Sequence, residues 1–406
     1  MKSKLNYLIL GAGPAGLTFA TRIKEKGVTS FLVLEKESVA GGLCRSAMVD
    51  GSPLDIGGGH FLDVRRPAVN AYLFRFMARN EWNEYERDSR IMLNGHFIHH
   101  PIEANLWEMP IDDQIKYLKS IAAAGCNTGA DMPSEFINWI YWKLGAKIAE
   151  DYMIPYNKKM FGENINQLGT YWLSKLPSVN FEDTLRSCLT KHAYAEQPGH
   201  AHFLYPKKFG YGEVWGRMAD SIKENMQYNK TVTSINFDSN TVTTFDGERY
   251  TADNIICTIP WPEFKNIQGM PSELKTGILA LKSSAIQIAY KPENLETQAH
   301  WIYYPDPRLS YHRILVRHNF CPNSRGYWTE TNSERISTKE TDPIFKYLNP
   351  YAYPLNTLNK PEIMDKLLAW AETKSVFGLG RWGEHRHYNS DAVMELALAK
   401  ADQMVG

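Results

Sequence analysis

Leu5-Asn6-Tyr7-Leu8-Ile9-Leu10-Gly11-Ala12-Gly13-Pro14-Ala15-Gly16 is an apolar run that enters a glycine turn. It reads as a buried parallel strand ending in a tight bend. A helix is expected from Pro14 to about Lys26, with proline in its first turn and Gly27 as its stop. Ser30–Glu35 is the next strand, so the segment is a βαβ unit. In such a unit Gly11 allows the turn, Gly13 lets the backbone approach a pyrophosphate, and Gly16 lets the helix pack on the strand. Pro14 and Ala15 complete the loop. The helix start offers unpaired N–H groups and a positive dipole end to phosphates. Glu35 follows Gly16 by 19 residues, where a carboxylate accepts hydrogen bonds from a ribose diol. The glycine pattern alone is weak. Between a strand and a helix, with that acid in place, it points to a dinucleotide.

Further along, Gly41-Gly42 and Gly57-Gly58-Gly59-His60 mark two more close backbone approaches. From about Pro67 to Gly199 aromatics and helix formers dominate, which predicts a mostly helical insert. Strands are expected at Thr231–Phe237, Thr241–Phe245 and Ile255–Ile259, and again at Leu281–Tyr290, Tyr311–His318 and Val376–Leu379. Asn389–Met404 reads as a closing helix, with Asp391 in its first turn. The expected class is α/β: a Rossmann-like domain of the two-dinucleotide-fold type, assembled from residues 1–66, 210–265 and 366–406. A helical subdomain (67–209) and a β-rich domain with a second, antiparallel sheet (266–365) complete it.

The 406 residues include 45 basic and 45 acidic side chains, so no net field selects nucleic acid or a membrane surface. The five cysteines are scattered and form no CxxC, which argues against a disulfide framework or a zinc site. The histidine pairs have no carboxylate or cysteine at ligand spacing, so no metal is expected. No window carries about 18 consecutive apolar residues, so no stable membrane insertion is expected. Phe136–Ile148 is aromatic and amphipathic and reads as a core-facing helix. The glycine loop lies close to the first residue with no signal peptide before it, and the chain reads as cytoplasmic. Oligomeric state is not legible.

Several motifs carry a family resemblance. Glu35-Lys36-Glu37-Ser38-Val39-Ala40-Gly41-Gly42-Leu43 resembles the run that continues the dinucleotide motif in FAD amine oxidases and their relatives. The resemblance implies non-covalent FAD, with Lys36, Gly42 and Leu43 among its contacts. Phe377-Gly378-Leu379-Gly380-Arg381-Trp382-Gly383 and the stretch through His387 to Asp391 look like the last motif of UDP-galactopyranose mutases. A helix start at Asp391–Val393 suits the flavin edge that gains negative charge on reduction, and Arg381 adds a full positive charge.

Asp55-Ile56-Gly57-Gly58-Gly59-His60 resembles the mutase loop whose glycine and histidine sit against flavin N5. His300–Pro305 with Tyr311-His312-Arg313 resembles a mutase strand pair, in which Tyr303 and Arg313 would contact the substrate diphosphate. An arginine suits that task through its charged fork. Tyr156 and Asn157 fall in a segment resembling the lining of the nucleotide cleft. The sequence departs from the mutases in two places. Lys175 stands near where an arginine is expected, and His387 where the family has a tyrosine; both are candidate substrate contacts.

The resemblance implies an isomerase of cell-surface polysaccharide biosynthesis. In it, reduced flavin N5 attacks the anomeric carbon of a nucleotide-diphosphate sugar such as UDP-galactose, with Arg313, His60 and Arg381 in catalytic roles. The alternative is an oxidoreductase of the amine-oxidase or protoporphyrinogen-oxidase type on the same fold.

Overall fold

Leu5–Leu10 is the centre of the first sheet. It pairs in parallel with Phe31–Leu34 on one side and with Arg249–Cys257 on the other. Tyr7 and Ile9 enter one buried cluster, while Leu8 and Leu10 enter a second on the opposite face. Alternate side chains of a strand point to opposite faces, and a parallel strand covered on both sides is apolar throughout. The helix Pro14–Glu25 follows directly, close to its expected bounds.

The computed structural model describes residues 4–173, 179–194, 201–336 and 343–406, and among them this sheet has eight strands. Its outer members include Met226–Gln227, Val232–Asn236, Thr241–Thr244 and Asn266–Gln268. Val376–Gly378 pairs in parallel with Arg249–Cys257, and the helix Ser390–Val405 packs on Pro14–Glu25, where Arg22 Nε meets Asp402 Oδ1 at 2.7 Å. The fold is mixed α/β.

A second sheet runs Phe345–Pro354, Ser283–Lys291, Tyr327–Asn332, Arg313–Leu315, Trp301–Tyr303, Ser89–Leu93, His96–His99. Two of its strands come from the stretch expected to be mostly helical. Residues 67–209 do hold the helices Ile111–Ala122, Phe136–Ile148, Ile154–Phe161 and Phe181–Thr190. They also hold Trp82–Glu86, Ser89–Leu93, His96–His99 and His202–Pro206. The cause is a hairpin turn at Asn94-Gly95, both with positive φ (51° and 83°), the conformation that an Asn-Gly pair favours. The strand expected at Tyr311–His318 is only Arg313–Leu315. It ends because Arg317, fully buried, turns away to donate to the carbonyls of Val49 and Arg325 and to the Tyr290 hydroxyl.

In Phe136–Ile148 the side chains of Phe136, Trp139, Ile140, Leu144 and Ile148 are buried, so this face is occupied by protein. Among the described residues no helix is long and apolar enough to cross a membrane.

Candidate active site: two cavities that meet at His60 and Arg381

The first cavity, about 420 Å³, lies over the C-terminal edge of the first sheet. The sequence-predicted residues Gly11, Gly13, Pro14, Ala15, Glu35, Lys36, Gly42, Leu43, Arg381 and Val393 line it, as does His60. A Cβ placed on Gly13 would meet nothing nearer than Gly42 Cα at 3.9 Å, so the position faces open space beside the helix start. The Glu35 carboxylate accepts the N–H of Ala12 at 2.7 Å and of Glu37 at 2.9 Å. Burial pushes its carboxyl upward and those two bonds pull it back. Backbone N–H groups for a pyrophosphate and an oriented carboxylate for ribose hydroxyls make a donor and acceptor set that fits a dinucleotide.

Three predicted cofactor residues stand behind this wall rather than in it. Gly16 is where the helix crosses the strand: a Cβ there would sit 2.0 Å from the Gly11 carbonyl oxygen. Gly380, at φ +77°, lets the C-terminal turn press on Ala15, whose Cβ would be 2.6 Å away. Asp391 is buried and ion-paired with Arg66 at 2.7 Å.

The second cavity, about 260 Å³, shares His60, Arg381 and Ser390 with the first. Gly58, Gly59, Tyr303, Arg313 and His387 line it, and so do Arg87, Trp301, Glu330 and Tyr353, which sequence reading did not single out. Tyr156 and Asn157 line neither cavity. The Tyr156 ring backs Tyr303 edge-on at 5.3 Å, and Asn157 Nδ2 donates to the Met153 carbonyl within its own helix. Lys175 lies outside the described residues.

Charge in the second cavity is organised around Glu330. Arg313 Nε donates to it at 3.1 Å, and the Gly59 N–H donates at 3.2 Å. Burial works to raise this carboxyl, but Arg313 and His312 outweigh it and hold it at about 2. Arg381 spends its donors on carbonyls, Tyr388 at 2.7 Å and Ala352 at 3.1 Å. No carboxylate of the described residues lies within ion-pairing distance of it. Burial therefore presses its pKa down.

His60 stands at the junction. Burial, then Arg381, lowers its pKa to about 4, so the ring is neutral at pH 7. Its Nδ1, 2.9 Å from the Gly58 carbonyl oxygen, then carries the proton and donates it there. Beneath the junction Asp55 accepts from Ser46 Oγ (2.6 Å), Tyr205 Oη (3.0 Å) and the Tyr211 N–H (3.1 Å).

His99, expected to lack acidic company, meets Glu108 at 2.6 Å and lies 3.7 Å from Asp88 in an ion-pair cluster. Among the described residues no group of three or more potential ligands could hold a metal ion.

The family of flavin-containing amine oxidoreductases matches residues 14–292. The chain belongs to that family. Its implied cofactor is FAD, and the glycine loop with Glu35 is the part of the structure that fits it. The fold is similar to that of a reduced UDP-galactopyranose mutase, with a TM-score of 0.88 at 20% identity over 100% of this chain and 94% of that one. A putative protoporphyrinogen oxidase from Exiguobacterium sp. 255-15 gives 0.71 at 11% identity, covering 99% of each chain. Putrescine oxidase bound to putrescine gives 0.66 at 15%, again covering 99% of each. At these identities the likeness is one of fold. A curated relative, an uncharacterised protein in the nifH2 3′ region of Methanothermococcus thermolithotrophicus, is 43% identical over 53 residues. Those residues are 13% of this chain, which spans about half (50%) of that relative's length.

Proposed function

We propose that the protein is an FAD-dependent pyranose–furanose mutase acting on a nucleotide-diphosphate sugar such as UDP-galactose. One observation carries the reading: among the described residues, the cavity that opens onto the cofactor cleft is lined by three arginines, Arg87, Arg313 and Arg381, against a single carboxylate, Glu330. Such a cavity favours a diphosphate and repels a protonated amine such as putrescine.

Arg313 and Tyr303 hold the diphosphate. Arg381, at the junction, offers its uncompensated charge to the negative charge of the reduced cofactor. His60 is a neutral group whose Nε2 keeps a lone pair, so it accepts a hydrogen bond from a sugar hydroxyl and gives up no proton at pH 7. FAD, when bound and reduced, would supply N5 as the nucleophile toward the anomeric carbon; Arg313 and Tyr303 hold the nucleotide diphosphate as it leaves with the electron pair of the anomeric C–O bond and until it is rejoined to the furanose. The chain itself needs no nucleophilic side chain; it orients the sugar between the two cavities and encloses it.

The test is anaerobic chromatography of pyranose and furanose forms across several nucleotide sugars. Interconversion is expected after dithionite or NAD(P)H reduction, with no reductant consumed per turnover, and is expected to vanish on reoxidation. Bleaching of the oxidised flavin by an amine or a porphyrinogen, with no ring-contracted sugar, would overturn the reading in favour of an oxidoreductase.

A further inference from the structure

We propose that Arg87 is a second anion-binding arginine of the substrate cavity, holding the diphosphate of a nucleoside diphosphate sugar together with Arg313 and the Tyr303 hydroxyl. The inference rests on the mutase reading and deepens it.

Arg87 lies in the short link between Trp82–Glu86 and Ser89–Leu93, strands of two different sheets, and its backbone N–H is tied to the Ala201 carbonyl at 2.8 Å. Its side chain turns into the second cavity. The guanidinium lies over the Trp301 indole, 4.8 Å from the ring centroid. Nε donates to Ser89 Oγ at 2.9 Å. Nη2 donates to the Tyr303 hydroxyl at 3.2 Å and lies 3.4 Å from His100 Nδ1. Burial, then Arg87 itself, keeps His100 well below its usual pKa, so that ring is neutral and accepts. Stacking and three side-chain anchors hold the fork in one orientation, which lowers the cost of ordering it around a ligand.

The sheet register sets the rest. Trp301 is opposite Ser89, and Tyr303 is opposite Arg313. The Trp301–Tyr303 strand therefore has Arg87 at one flank and Arg313 at the other. The Tyr303 oxygen accepts from Arg87 Nη2 and from Trp301 Nε1 at 2.8 Å, which uses both of its lone pairs. Its own O–H is left to donate, and among the described residues no acceptor takes it. A phosphate oxygen between the two arginines is an acceptor of the right charge.

The experiment uses the FAD-loaded protein and measures Kd for UDP, inorganic pyrophosphate and uridine in wild type, Arg87→Gln and Arg87→Lys, with flavin occupancy as the folding control. Arg87→Gln is expected to weaken UDP and pyrophosphate about tenfold to hundredfold, the worth of a hydrogen bond to a charged group. Uridine affinity and flavin content are expected to stay as in wild type. Arg87→Lys, which keeps the charge and loses the fork, is expected to fall between. Equal UDP affinity in wild type and Arg87→Gln would overturn the assignment of Arg87 and leave the mutase reading standing. Parallel losses for UDP and uridine, or loss of flavin, would overturn it too, by showing a role in shape alone. A wild type that binds neither UDP nor pyrophosphate would overturn both.

Discussion

The floor of the cofactor cleft comes from one continuous stretch, Gly11 to Ala15, with Glu35 and Gly42 a few turns further along. The second cavity takes Arg87, Tyr303, Arg313, Glu330 and Tyr353 from five separate strands or links. The floor of the first is made of backbone and local spacing, the second of side chains brought together by sheet register. In the cleft the absence of a side chain at Gly13 leaves room for a ligand. In the cavity Arg313 and Glu330 lean on each other, so removing one exposes its partner, while Arg381 is held by carbonyls.

Two glycines in the same loop test this most sharply. Gly16→Ala puts a methyl 2.0 Å from a backbone oxygen and is expected to cost about 3 kcal/mol or more, read as loss of soluble folded protein. Gly13→Val has open space for its Cβ and is expected to fold with the melting temperature of flavin-free wild type, and to carry no flavin by absorbance. A folded, fully yellow Gly13→Val would remove the pyrophosphate from this loop.

Next is Arg313→Ala. It leaves Glu330 buried without its main counter-charge, so stability should fall by about 3–5 kcal/mol in denaturant unfolding. UDP binding should weaken by a further ~1.5–3 kcal/mol. Adding Glu330→Gln should recover most of the stability and none of the UDP affinity. Recovery of both would make Arg313 a scaffold residue.

Asp55 accepts the N–H of Tyr211, whose ring stacks on His60 at 6.4 Å between centroids. Burial pushes its carboxyl from 3.8 to about 7, against its three hydrogen bonds. A folded-state pKa above the unfolded one gives stability that is full below 3.8 and lost as pH rises through about 7. Melting temperature, compared between wild type and Asp55→Asn, should show wild type losing ground over that window, on the order of 2–4 kcal/mol. Parallel curves would mean that Asp55 is charged throughout. The smallest effect belongs to Lys36→Ala: an exposed lysine at the cleft mouth should change FAD affinity by less than ~1 kcal/mol in a titration of the apoprotein.

The same division explains how much was legible in the sequence. Strand, glycine turn, helix and acid lie within 31 consecutive residues, Leu5 to Glu35, so local rules suffice there. The hairpin Ser89–His99 was legible as well, through Asn94-Gly95 between alternating residues, but the helix-rich composition around it hid the signal. Arg87 and Glu330 were not legible, because their place depends on which distant strands pair. Tyr156 and Asn157 share the helix Ile154–Phe161 with Met160, which lines the cavity, and the pitch of that helix turns them behind it.

The parallel pairing of Leu5–Leu10, Arg249–Cys257 and Val376–Gly378 has a consequence in time. During synthesis the first strand emerges long before either neighbour on that side, and loop closure over such separations is slow. Leu5–Leu10 therefore has no partner on that side until Cys257 has been made, and the strand beyond it follows only with Gly378. Capture of the cofactor is expected to come late in the life of the nascent chain.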